Sequence, residues 1–357
     1  MKSKLLLYSL FLLAPAVNAQ TEVANYIPGA TVEGVTYFLP KTAIRIIVEA
    51  KKEVYTPGIF HNYANLYLRI NNIPSESYTR WRIKSIKMDT YGVPDPQKAY
   101  NIKLQKRTIA PLVGLSSEGI LLSVNTEGSE ECLPDVPQNI APAKRPNPRD
   151  YMNQDMLSTG SNAKTAELVA DEIYDIRESR NALIKGEADN MPKDGTQLKL
   201  MLDQLQTQED ALLQLFKGTN DVSTEYFTIT LTPDEAIEKM VLFRISQKLG
   251  IVNNDDLSGE PVYISLKNLY TTPAAVIDDK AEKKKKKMEK GLYYNVPGKA
   301  NIKIFNSNTT FCEGEYPFAQ FGETEILSDV LFDKDATTKV TFYQSTGAIE
   351  QITDGAE

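Results

Sequence analysis

Ile44-Arg45-Ile46-Ile47-Val48 sets the fold class of this chain. Ile44, Ile46 and Val48 fall on one side of an extended backbone, and Arg45 and Ile47 on the other. That is the period of two that sends alternate side chains to opposite faces of a strand. Tyr100, Ile102 and Leu104 alternate in the same way against Asn101 and Lys103. Residues 31–124 therefore read as strands of a sheet with at least one buried face. Trp81 alternates with Ile83, which makes it a core residue before it is a sugar platform. One short helix interrupts the strands: after Thr56-Pro57-Gly58, the residues Phe60, Tyr63, Tyr67 and Ile70 recur at steps of three and four. Ser116-Ser117-Glu118-Gly119, between two apolar runs, has the chemistry of a hairpin turn.

Five prolines at 134, 137, 142, 146 and 148 then mark a semi-extended linker or surface strap. Two amphipathic stretches follow. Ala166, Val169, Ile173, Ile176 and Leu183 form one stripe, and Leu198, Leu202, Leu205, Leu212 and Phe216 a second, with a polar break at 190–195. The spacing predicts two antiparallel helices. Each stripe is interrupted once by a charge, Arg180 on the first helix and Glu209 on the second. A turn near Pro192 sets these two almost opposite each other, within an arginine's reach, so an ion pair fixing the hairpin register is expected. Strand signals return at 226–231, 241–245, 262–266, 300–305 and 340–343, and Thr232-Pro233-Asp234-Glu235 with Ile237 and Met240 reads as one helical turn.

The expected architecture is α+β: two β-rich, sandwich-like, mainly antiparallel domains with an inserted antiparallel helical hairpin. The boundaries are a leader at 1–19, a β-rich domain at 20–132, the proline-rich linker at 133–160, the hairpin at 161–218 and a second β-domain at 219–357. At 357 residues the chain exceeds the roughly 250–300 at which a single core stops growing.

Location is read from the first twenty residues. Lys2 and Lys4 precede an apolar run over 5–17, and Val17-Asn18-Ala19 supplies small residues before Gln20, the pattern of a secretory leader. Thirteen apolar residues fall short of the roughly 20 that span a bilayer, and no later stretch is longer, so the mature chain is expected to have no transmembrane segment. Export to the periplasm or cell surface changes how Cys132 and Cys312 are read. In an oxidising compartment the pair can close a disulfide; in a reducing one they would be separate thiols.

A net charge of −7 and a pI near 5.2 argue against nucleic acid as a partner. Motifs for chemistry are sparse. Ser161-Asn162-Ala163-Lys164 fits a Ser-x-x-Lys pattern, but no Lys-Thr-Gly accompanies it, and Ser161 stands where a helix cap belongs. Gly114-Leu115-Ser116 begins like a nucleophile elbow until Glu118 takes the place of the second glycine. His61, the single histidine, reads as a surface or packing residue. Asn253-Asn254-Asp255-Asp256 and Asp333-Lys334-Asp335 lack the ligand spacing of a calcium loop and read as turns. The lysines at 283–287 read as a solvated tip. No catalytic residue, metal ligand or cofactor is expected.

Gly34-Val35-Thr36-Tyr37-Phe38-Leu39-Pro40-Lys41-Thr42, Tyr55-Thr56-Pro57-Gly58, Gly186-Glu187-Ala188-Asp189 with Pro192-Lys193-Asp194-Gly195, Leu215-Phe216-Lys217-Gly218-Thr219 and Ser345-Thr346-Gly347-Ala348-Ile349 resemble segments of a family of uncharacterised exported proteins from gut-type Gram-negative anaerobes, a domain of unknown function. The resemblance covers nearly the whole mature chain and implies an envelope or surface protein. The resulting expectation is an exported, non-enzymatic binding or scaffolding component of the cell envelope, with the helical hairpin facing an envelope protein. The alternative is a carbohydrate-binding or glycoside-cleaving protein, which requires a cleft lined by Tyr and Asp/Glu to hold a glycan.

Overall fold

The computed structural model describes residues 22–25, 34–103, 113–272, 291–328 and 338–354. The leader, the 283–287 lysines and Asp333-Lys334-Asp335 lie outside them. The fold is α+β and mainly β, with three antiparallel sheets.

Two long strands form the spine. β2 (Val35–Thr56) pairs along its length with β3 (Tyr78–Lys103); β1 (Glu22–Asn25) borders β3. Between β2 and β3, α1 (Ala64–Leu68) ends at Arg69, which adopts the left-handed conformation at φ 58°. β4 (Val113–Leu115) and β5 (Leu121–Val124) form the expected hairpin. The hydroxyl of Ser116 accepts from the Ile120 and Glu118 amides at 3.0 and 3.3 Å, so it closes a turn. After α2 (Gln154–Ser158), α3 (Asn162–Lys185) and α4 (Gly195–Lys217), the chain returns as β6 (Thr219–Leu231). There follow β7 (Ile237–Ser246), β8 (Gly250–Val252), β9 (Glu260–Asn268), β10 (Gly291–Phe305), β11 (Thr310–Ser328), β12 (Lys339–Phe342) and β13 (Ile349–Thr353). Ile237 and Met240 lie in β7, so the expected helical turn is instead strand. Their side chains pack on the core of the sandwich, and that burial favours the extended form.

The strands flanking the helical hairpin do not build two separate sets of sheets. The sheet orders are β1-β3-β2-β6, β11-β10-β9-β7-β8 and β13-β12-β5-β4, so the first and third take strands from both 20–132 and 219–357. The reason lies in β2. Between Thr42 and Val48 all residues but Arg45 are buried, on both faces of the strand, and such a strand needs a neighbour on each edge and a layer on each side. The hairpin delivers β6 to the vacant edge, with Thr219 opposite Thr56. Ile44, Ile46 and Val48 then pack with Ile86 and Met88 against Val262, Ile264, Leu266, Ile302 and Phe318 of the five-stranded sheet. Tyr37, Leu39, Tyr100 and Ile102, nearer the other end of β2, join Leu292, Val340 and Phe342 in a second core.

The proline-rich segment is a strap along the outer edge of β6. Ile140 and Thr224 exchange two backbone hydrogen bonds at 2.8 and 3.0 Å, and Asn139 Oδ1 accepts from the Tyr226 amide at 2.8 Å. Prolines cannot complete a ladder, so the strap covers an edge strand without offering a new one.

Candidate functional site: the helical hairpin

The hairpin grows from a small helical base. Phe60, Leu68, Met156, Ala166, Val169, Ile173, Leu212 and Phe216 form its core. Two of the short segments quoted from the sequence weld this base to the sheet. The Tyr55 hydroxyl donates to Lys217 O at 3.0 Å, and the Phe60 amide donates to Leu215 O at 2.7 Å. Gly58 is required there, since a Cβ would lie 2.3 Å from Leu215 O. His61 sits in the adjoining turn, its Nδ1 2.8 Å from Gly58 O. That contact makes Nδ1 the protonated nitrogen, and His61 serves the turn.

Both hairpin helices end as their sequences require. Gly186, left-handed at φ 76°, terminates α3 with Glu187 N donating to Ala182 O at 2.9 Å. Asp194 Oδ1 caps α4 by accepting from Gln197 N at 2.8 Å. At the other end of α3, Ser161 holds the cap position, but its side chain makes no cap hydrogen bond; its carbonyl accepts from Thr165 N and Oγ1, each at 2.9 Å. Lys164 pairs with Glu167 at 3.1 Å.

Across the hairpin seam, Arg180 Nη1 lies 2.6 Å from Glu209 Oε2, and Arg177 Nε lies 2.6 Å from Glu209 Oε1. Arg180 Nη1 also donates to Gln206 Oε1 at 2.6 Å. Glu209 is 4% exposed, and both carboxylate oxygens are used. The sequence pattern singled out Arg180 and Glu209 and missed Arg177; its signal was its position one turn before Arg180.

Beyond this cluster the two helices stand without the helical base. Ile184, Met191 and Leu200 are 64%, 42% and 60% exposed. Leu200 forms one wall of a groove of about 650 Å³ lined by Leu183, Met201, Leu205, Gln204, Glu187 and Asp189 among others. Glu187 and Asp189 are the charged residues of that lining.

The remaining candidates are placed as follows. Cys132 and Cys312 are both free thiols, so of the two readings open for them the bridge is not formed. Cys132 is exposed on the chain after β5, where its neighbour Glu131 holds Gln344, whereas Cys312 is opposite Ile304 in the five-stranded sheet. Cys132 lies in irregular chain and Cys312 in a strand, and burial pushes the Cys312 thiol up. Trp81 is 7% exposed and meets Phe227 edge-on at 6.3 Å. One edge of it lines a cleft of about 550 Å³ with Phe311 and Glu260. In the 253–256 loop, Asp256 Oδ1 accepts from the Ser258 amide at 2.9 Å, which holds its carboxyl below the usual range as a turn residue.

These features define a mainly antiparallel α+β protein that carries a two-helix arm with an apolar, acid-edged groove near its tip. The family model described as Domain of unknown function (DUF4831) matches residues 33–350, and the chain belongs to that family. No curated protein and no solved structure matches it. Among the described residues no helix is long and apolar enough to cross a membrane.

Proposed function

We propose that the protein is an exported, non-enzymatic binding or scaffolding component of the envelope of a Gram-negative anaerobe, and that its hairpin arm grips a partner protein at the periplasm or cell surface. The observation that supports this reading is the groove near the hairpin tip. Isolated exposed apolar residues are ordinary, but Leu200, 60% exposed, shares a groove with Leu183, Met201 and Leu205, and such a cluster marks an interaction surface. With Glu187 and Asp189 as its charges, the groove matches an apolar segment edged by lysine or arginine. A second copy of this chain would instead bring like charges together. Export rests on the leader at 1–19. The glycan reading calls for a tyrosine- and carboxylate-lined cleft, and no tyrosine lines the hairpin groove or the Trp81 cleft.

The test is site-specific photo-cross-linking of the full-length chain in intact cells. A probe at Leu200 is expected to give a discrete adduct with an envelope protein, and a probe at Tyr270, 81% exposed just after β9, none. Absence of any adduct from Leu200, or the same adducts from both positions, would count against the arm as a gripping surface. A glycan array with a hydrolysis screen tests the other reading.

A further inference from the structure

About fifteen residues from the hairpin weld, roughly 50 Å of extended chain along β2, lies a cleft of a different character. It encloses about 410 Å³ between Pro40 and Lys41 of β2, Asp95 and Lys98 of β3, Asp234 and Gln320. A wide bulge creates it. Phe38 pairs with Ala99 and Pro40 with Pro94, so Asp95-Pro96-Gln97-Lys98 stands on β3 against Leu39 alone on β2. Pro94 and Pro96 cannot donate to a ladder, and the chain between and beyond them leaves the pairing. Bulges of this kind re-aim side chains beside functional sites.

The charges in the cleft are unevenly shared. Both aspartates lie on Lys41: Asp234 Oδ1 at 2.8 Å and Asp95 Oδ1 at 3.8 Å. Lys98 has no carboxylate within ion-pairing distance among the described residues. Its acceptor is a neutral amide, Asn295 Oδ1, at 3.3 Å. Asn295 is fully buried and cannot turn away, because its Nδ2 donates to Pro40 O at 3.1 Å and Thr346 O at 3.0 Å. The result is a half-buried ammonium in a cleft, held by a neutral acceptor, with Asp95 acting on it only from beyond ion-pairing distance. A buried charge in that state costs free energy that an anion would return.

We infer that this cleft binds a small organic acid through one carboxylate group, taken by Lys98. The two lysines and two aspartates of the cleft balance, so Asp95 and Asp234 oppose a phosphate dianion more strongly than a monoanion. The volume leaves room for an organic body against Pro40 and Ala319, since a water or a simple ion needs only about 30 Å³. Burial pushes the Lys98 amine below its ordinary value, with Asp95 opposing and Lys41 adding to the shift. A bound carboxylate would reverse that direction.

Calorimetric titration of the full chain with propionate, glucuronate and inorganic phosphate tests the assignment. Saturable binding of propionate supports an aliphatic acid, and binding of glucuronate alone supports a sugar acid. Lys98→Gln, with its circular dichroism unchanged, is expected to weaken either by about tenfold or more. Acetylation of Lys98 in the wild type by an N-hydroxysuccinimide ester, read by mass spectrometry, is expected to slow severalfold when the carboxylate is present, and this arm stands even if the variant misfolds. No saturable binding of either acid, equal binding by Lys98→Gln, phosphate binding as tight as the carboxylates, or unchanged acetylation would overturn the proposal.

Discussion

Arg180 on α3 reaches Glu209 on α4 at 2.6 Å, and Glu209 is the most buried acid on the hairpin. The two residues join positions 29 apart in sequence, so the contact fixes which turn of one helix faces which turn of the other. Arg177 holds the second oxygen of the same carboxylate. That changes what mutation of Arg180 alone should do.

Arg180→Leu leaves Glu209 paired with Arg177, and a loss of about 1–2 kcal/mol is expected. Replacing both arginines with leucine leaves an orphaned buried carboxylate and should cost about 3–5 kcal/mol, while adding Glu209→Leu should restore most of it. Urea unfolding of the four proteins measures this. A double variant no worse than Arg180→Leu would refute the shared role.

Gly58→Ala is expected to destabilise by about 1–3 kcal/mol, because the new methyl would meet the Leu215 carbonyl, part of the backbone that joins hairpin to sheet. Hydrogen exchange should locate the change at Phe60 and over 215–219. Wild-type stability in this variant would show that the weld yields easily.

Glu49 carries the pH prediction. Lys84 Nζ at 2.6 Å and Ser85 Oγ at 2.7 Å hold its carboxyl below the ordinary value, with Lys84 the larger cause and burial opposing. A lowered folded pKa means that the unfolded chain takes up the proton first. The contribution to stability is therefore complete above the ordinary carboxylate value and is lost as pH falls through the lowered one. Glu49→Gln should be less stable than wild type at pH 6, and the gap should narrow towards pH 3. A gap in urea midpoints that stays constant with pH would exclude this role.

Both thiols should react with an aromatic disulfide reagent in the native state, exposed Cys132 first and Cys312 more slowly because burial disfavours its thiolate. Gel mobility should be the same with and without reductant. A mobility shift confined to the monomer band would mean that the bridge forms after all.

Periodicity made some elements legible. Ile44, Ile46 and Val48 declare a strand whatever they pack on, because the pleat alone separates them from Arg45. The hairpin stripes, the Gly186 and Asp194 ends and the Arg180–Glu209 break are likewise properties of one helix or of two helices joined by a short turn. Their geometry follows from residue number.

What the tertiary structure alone decided is which distant strands share a sheet and which distant side chains share a cleft. β6 lies on β2 and β12 on β5 because a strand buried on both faces must find partners at any sequence separation, and alternation does not name them. The same holds for the thiols, which the fold leaves unbonded, and for Lys98, whose acceptor Asn295 is 197 positions away. Local sequence fixes backbone periods and caps through contacts a few residues long, whereas charge balance in a cleft depends on long-range packing that brings β2, β3, β10 and β11 to one point.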